Sequence, residues 1–177
     1  MRHGAGDRAD WLQHWDVSSA NDRCHNLGVH PTPAEAITRL IYTYAERIDA
    51  GDFSGVAELF EHATLTFEGF SDAVYGREAI EHLYTRSTRR YEDGTPKTKH
   101  VMTNVVVDVA EDGATAGSRS YFTVLQAVPG ELALQPVIAG RYRHTYQKVD
   151  GHWRITTMHV IIDLTGDLGH HMLFDLA

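Results

Sequence analysis

The sequence predicts a single α+β domain, with three amphipathic helical stretches first and a run of hairpin-linked strands after them. Three observations lead there. In PAEAITRLIYTYAERIDAGDF, the residues Ile37, Leu40, Ile41, Tyr44 and Ile48 recur at helical spacing. FSGVAELF and GREAIEHLYTRSTRR repeat that period, with the alternating run ATLTFEG between them. The second half then holds four strand-like runs, over 100–109, 117–128, 137–149 and 152–164, punctuated by EDG, PGE and VDG.

Each element has its own signal. Thr32 suits an N-cap, Pro33 the first helical position, and Glu35 stands three residues past the cap. The first helix stops at Gly51, just after Asp49. On a helix of about 100° per residue Asp49 lies about 120° round from Ile37, at the margin of the apolar stripe, so it faces either a pocket or solvent. The strand ATLTFEG puts Ala63, Leu65 and Phe67 on one face, and the third helix turns Ile80, Leu83 and Tyr84 inward. In the later strands Arg141, Arg143 and Thr145 share a face, opposite Tyr142, His144 and Tyr146. Trp153, Ile155, Thr157, His159 and Ile161 share another. Such mixed faces fit a sheet curved round a helix with a packed end and a pocket end, and fit a half-exposed sheet equally well. The predicted organisation is an N-terminal extension over 1–31, the domain over 32–166 and a C-terminal tail over 167–177. Within the extension, WLQHWD is either a short helix packed on the body or on a second subunit, or a loosely docked tail.

Composition narrows the function. A chain of 177 residues with 42% hydrophobic and 10% aromatic residues can bury a sizeable core and still enclose a cavity. A formal charge of -8 leaves no basic footprint for a phosphate backbone, so nucleic acid is not an expected partner. No apolar run is long enough to span a bilayer, and MRHGAGDRADWLQHWD has no hydrophobic core of a signal peptide; the expectation is no membrane partner and a cytoplasmic location. The single cysteine, Cys24, offers neither a disulfide nor a thiolate metal site. Twelve histidines include no HExxH or comparable ligand spacing, so no metal is expected and they read as solvated or core residues.

The chemistry-bearing candidates are Asp49, closing the first helix, and His100, opening KHVMTNVVVDV. Folded together in an apolar pocket, a carboxylate would fix the tautomer of an imidazole and stabilise its protonated form, leaving the other ring nitrogen to accept a proton. Tyr44, Tyr84, Tyr121 or Arg143 could donate to the negative charge that develops on a substrate. Read singly, each has a structural explanation: a cap or ion pair for Asp49, a satisfied core histidine for His100, core packing for Tyr44, a solvated strand position for Arg143, and packing for His159.

The residues YAERIDAGDFSGVAELFEHATLTFEG, YGREAIEHLY, TKHVMTNVVVDVAEDGATAGS and AGRYRHTYQKVDGHWRI resemble, in order and spacing, the nuclear transport factor 2-like superfamily and its SnoaL-like branch. The likeness covers about residues 33–165. It implies a cone in which a strongly bent, mainly antiparallel sheet wraps a helix and encloses a deep pocket for an apolar ligand. Similar proteins include scytalone dehydratase, hexachlorocyclohexane dehydrochlorinase, polyketide cyclases, ketosteroid isomerase and the small subunits of ring-hydroxylating dioxygenases. Asp49 and His100 match the catalytic dyad of the dehydratase and the dehydrochlorinase. The chain departs from both: the dehydratase's water-holding tyrosines fall on Ile48 and Phe67 and its second histidine near Leu125, while the dehydrochlorinase's lysine and arginine fall on Tyr44 and Thr145. Neither specific reaction is therefore implied. Asp163 with Tyr44 leaves open a shuttle of the ketosteroid isomerase kind. Hydrolysis through an activated water, as in limonene epoxide hydrolase, would need an Asp-Arg-Asp set that the sequence does not assemble.

The resemblance thus implies a cofactor-independent acid/base enzyme, a dehydratase, isomerase or cyclase, acting on a small apolar or aromatic ring compound. Its dyad is Asp49 and His100, and its ligand contacts come from Tyr44, Phe67, Tyr84, Tyr121, Arg143 and His159. The alternative is a non-catalytic ligand-binding or assembly module, such as a dioxygenase small subunit. A homo-oligomer, dimer or trimer, is the expected state.

Overall fold

The computed structural model describes residues 30–174. The chain divides into two units after Thr32, and the fold belongs to the second, which begins at Pro33. Cys24 and the WLQHWD segment lie outside the described residues.

Helix α1, Pro33–Asp49, buries Ile37, Ile41, Tyr44, Ala45 and Ile48 along one stripe, and its last residue, Asp49, is buried with them. The stripe explains why the helix is stable: residues three and four apart stack on one face and leave water together. Gly51 follows with φ 72°, and a Cβ there would stand 2.1 Å from the Gly94 carbonyl oxygen, so only glycine allows this close turn. Helix α2, Phe53–Leu59, starts on Asp52, whose carboxylate accepts the Gly55 amide at 2.8 Å. Strand β1, Thr64–Phe67, and a two-residue strand β2, Val74–Tyr75, lead into helix α3, Arg77–Ser87. Strands β3, Thr98–Val109, β4, Thr115–Val128, β5, Leu132–Val149, and β6, His152–Thr165, complete the unit.

Six strands form one sheet in the order β2-β1-β6-β5-β4-β3. All neighbours are antiparallel except β1 and β6. The β5–β6 hairpin turns on Asp150 and Gly151, both at positive φ, the backbone that a two-residue turn between twisted strands requires. One face of the sheet packs on the helices, and its core includes Phe60, Leu65, Ile80, Phe122, Tyr142, Tyr146, Ile155 and Met158.

Bulges bend the long strands and change which residues face inward. In β3, Thr103 pairs with Tyr121 and Val106 with Arg119, so one residue of β4 faces two of β3, and Asn104 takes the strain at φ 52°. In β6, Thr157 pairs with Thr145 but Ile155 with Tyr146, which makes Thr156 an extra residue. A second shift, between the Ala139 and Gly140 pairings, leaves Asp163 over. Gly140 sits there because a Cβ would meet the Ile161 carbonyl oxygen at 2.1 Å.

This corrects the face assigned to β6. Trp153 and Ile155 do turn inward, but beyond the bulge the inward residues are Met158 and Val160, and Thr157 and His159 turn out. A simple period of two cannot survive an inserted residue. Strand β5 also starts at Leu132, five residues before the sequence pattern predicts, and β2 is too short to carry a pattern at all. The segment after β6, which the sequence reading leaves as a tail, returns to the helices: Met172 bridges Thr88, and the Leu173 amide donates to the Ser87 carbonyl at 2.9 Å.

Candidate active site

The end of α1 meets the start of β3. There the Asp49 carboxylate accepts three hydrogen bonds: the Thr98 hydroxyl at 2.8 Å and the His100 ring Nδ1 at 2.7 Å reach Oδ1, and the His100 backbone amide at 2.7 Å reaches Oδ2. Both side chains are 6% exposed. Burial alone would raise the Asp49 carboxyl, but the hydrogen bond and charge of the His100 ring, together with the His100 amide and the Thr98 hydroxyl, bring it below the ordinary carboxylate value. An ionised carboxylate can only accept, so a neutral His100 ring must carry its proton on Nδ1 and present a bare Nε2. Among the described residues Nε2 has no hydrogen-bond partner.

His100 forms part of the wall of a cavity of about 280 Å³, while Asp49 stands behind it. The wall is mostly apolar, with Ile48, Phe67, Leu83, Phe122, Val124, Ile138 and Val160 among its residues. The polar exceptions are His100, the phenols of Tyr44, Tyr84 and Tyr142, the hydroxyls of Ser87 and Thr88, and His171. The Tyr44 and Tyr84 hydroxyls are 3.1 Å apart, and the Tyr44 ring meets the His100 ring edge-on at 6.2 Å. Burial lifts the Tyr44 and Tyr84 phenols well above their usual range, so both remain protonated donors. A greasy enclosure with one imidazole and converging hydroxyls can accept a proton at one point and stabilise negative charge at another. A larger groove, about 530 Å³, runs beside Asp108–Ala110 and Thr145–Gln147, but it is broad, open to solvent and away from this cluster.

The structure brings Tyr44, Phe67 and Tyr84 to the cavity with His100. It does not bring Tyr121, Arg143 or His159 there. Tyr121 is 52% exposed, because its neighbour Phe122 takes the inward position on β4. Arg143 is exposed opposite the buried pair Tyr142 and His144. His159 faces outward beyond the Thr156 bulge, where its Nδ1 meets the Thr66 hydroxyl at 2.8 Å and its Nε2 the Glu68 carboxylate at 2.9 Å. Asp163 is committed to a forked ion pair with Arg141, at 2.8 and 2.6 Å, which removes it as a partner for Tyr44. The residue that the sequence reading misses is His171, a buried cavity-wall imidazole from the C-terminal segment. No periodic pattern surrounds it, and the adjacent His170 and His171 read from sequence as solvated or core histidines. Among the described residues, no three His, Cys, Asp or Glu side chains are grouped to hold a metal ion, and no helix is long and apolar enough to cross a membrane.

The bent, mainly antiparallel sheet packed on three helices gives an α+β domain with the nuclear transport factor 2-like, or cystatin-like, fold. More narrowly, residues 32–159 match the SnoaL-like domain, and the chain belongs to that family. A nuclear transport factor 2-like protein with a cystatin-like fold from Novosphingobium aromaticivorans is similar at 23% identity and a TM-score of 0.60, over 83% of this chain and 90% of that one. ActVI-ORFA from Streptomyces coelicolor is similar at 18% identity and a TM-score of 0.59, over 72% of this chain and 95% of that one. A candidate scytalone dehydratase from N. aromaticivorans gives 20% identity and a TM-score of 0.59, over 84% and 91%. At these identities the likeness speaks to the fold. No curated relative matches the chain.

Proposed function

We propose that the protein is an acid/base enzyme, a dehydratase, isomerase or cyclase, that moves a proton on an apolar ring compound without a cofactor. The observation that carries this reading is the Nδ1–carboxylate contact of His100 and Asp49 at 2.7 Å in a cavity wall that is otherwise largely apolar. The SnoaL-like family and the candidate scytalone dehydratase among its structural relatives support the reaction class.

In this mechanism His100 Nε2 takes a proton from a carbon next to a carbonyl or a similarly activating group. Asp49 holds the ring by Nδ1 and stabilises the imidazolium that forms, and proton transfer by a base so positioned is worth about 10² to 10⁴ in rate. Electron density moves onto the substrate oxygen as an enolate. The Tyr44 and Tyr84 hydroxyls, joined at 3.1 Å, stand in the same cavity, and the one that accepts within the pair keeps its own proton to donate to it. The imidazolium then returns its proton to another carbon for isomerisation, or to a departing hydroxyl for dehydration.

Wash-in of solvent deuterium next to the carbonyl of 1-tetralone and its hydroxylated relatives tests this. The wild-type protein accelerates exchange, and His100→Ala lowers the rate by about 10² to 10⁴. Unchanged exchange in His100→Ala would refute the mechanism. Tight binding of these ketones with no exchange in the wild type would favour a ligand-binding module.

A further inference from the structure

We infer that His171 is the group that reads an oxygen substituent of the cavity's guest, which makes the ligand class a ring compound carrying more than one oxygen function. The inference deepens the proton-transfer reading and rests on it for what occupies the cavity.

The C-terminal segment holds the His171 ring in the wall with little freedom. The His170 carbonyl accepts from the Tyr91 hydroxyl at 2.7 Å and from Gln126 Nε2 at 2.9 Å. The His171 carbonyl accepts the Arg89 amide at 2.8 Å, its amide donates to the Leu168 carbonyl at 2.9 Å, and the next residue, Met172, bridges Thr88. The backbone on both sides is therefore pinned. His171 is 7% exposed, yet among the described residues neither ring nitrogen has a hydrogen-bond partner, and Nδ1 is fully buried without one.

A buried polar group left unpaired costs about 1–3 kcal/mol, whereas a leucine or phenylalanine would seal the same wall at no such cost. Contrast His100, whose Nδ1 and amide are both satisfied by Asp49. Nδ1 is closed off from the cavity as well as from solvent, so the unpaired nitrogen that a guest in the cavity meets is Nε2. Burial, reinforced by the charge of His100 and opposed by Asp49, holds the ring's pKa down to about 4, so it meets that guest uncharged. An uncharged imidazole suits a hydroxyl or a carbonyl, to which it can donate or from which it can accept according to tautomer, rather than a carboxylate or phosphate. With Tyr44 and Tyr84 available to a first oxygen beside His100, His171 supplies the place for a second.

The test is binding, not turnover, so it stands apart from the fate of the catalytic reading, which His100→Ala decides. Dissociation constants are measured for tetralin, 1-tetralone and 5-hydroxy-1-tetralone with the full chain. The expected affinities rise by about 3- to 10-fold per oxygen, the worth of one net hydrogen bond. His171→Phe loses one of the two steps while holding tetralin as tightly as before. His171→Gln, which keeps an amide donor and acceptor, retains most of the lost step and guards against a folding defect in the first variant. Persistence of both steps in His171→Phe, an equal loss for tetralin and its oxygenated relatives, or no gain from oxygen in the wild type would overturn the inference.

Discussion

Two clusters built from the same residue types lie on the inner side of the sheet, one shared with the helices and one on strand β5, and they behave differently. At the cavity end, His100, Tyr44 and Tyr84 border open space, and His100 is backed by a carboxylate. At the packed end, His144 lies between Tyr142 and Tyr146, with ring centroids 5.8 Å from each, and the Tyr146 hydroxyl is taken up by Ser118 at 2.8 Å. His144 Nδ1 is buried without a partner, and burial holds the ring's pKa down to about 4. Histidine and tyrosine do not make a site by themselves. A charged partner behind the imidazole and room in front of it do.

Substitution separates the two clusters most sharply. His100→Ala removes the proton acceptor and lowers turnover by about 10² to 10⁴, whereas His144→Phe, of similar shape and in the packed end, leaves turnover within a few-fold of wild type. Steady-state kinetics on one substrate reads both. Asp49→Asn keeps the shape but not the charge, and an amide can offer Nδ1 a donor and so favour the wrong tautomer; a drop in kcat of about 10²-fold or more is expected, with little change in KM.

Acid reads the packed end instead. The His144 pKa in the folded chain, about 4, lies below the unfolded value near ~6.5, so the unfolded state binds the extra proton between them. Stability from this residue is fully present above about pH 6.5 and is lost as the pH falls toward 4, a change of about 3 kcal/mol. His171 adds a loss of the same sign over the same window. Asp49, lowered rather than raised, keeps its contribution until the pH falls below the usual carboxylate range. Denaturant melts at stepped pH values should therefore steepen between 6.5 and 4, and His144→Phe should flatten that slope. The smallest effect is expected from Thr98→Val, which removes one of the three hydrogen bonds on Asp49 and costs about 1 kcal/mol in stability by the same melts.

Helical parts of the molecule were legible in the sequence because a period of 3.6 carries through α1 and α3 without interruption. The pairing of Asp49 with His100 was legible too, although the angle of Asp49 on its helix left its direction open until β3 was in place. The strand faces were not. Thr156 and Asp163 each insert one residue into β6, and nothing in their chemistry announces it. The Thr156 insertion is why a period of two points His159 at the ligand, whereas the ring bonds Thr66 and Glu68. Tyr121 and Arg143 failed for another reason: an aromatic or a cation on a strand looks the same on either face, and only the burial of Phe122, Tyr142 and His144 beside them decides it. His171 was hidden because a segment with no period makes its contacts through backbone hydrogen bonds to distant residues.

The most direct measurement is nitrogen NMR of the histidine rings in mildly alkaline solution, with and without bound 1-tetralone. A neutral His100 with Nδ1 protonated and Nε2 bare, an Nε2 signal that moves when the ketone binds, and loss of that tautomer in Asp49→Asn are the expected results. An Nε2-protonated ring, or an Nε2 signal indifferent to the ketone, would contradict an imidazole held by Asp49 to take a proton from the cavity's guest.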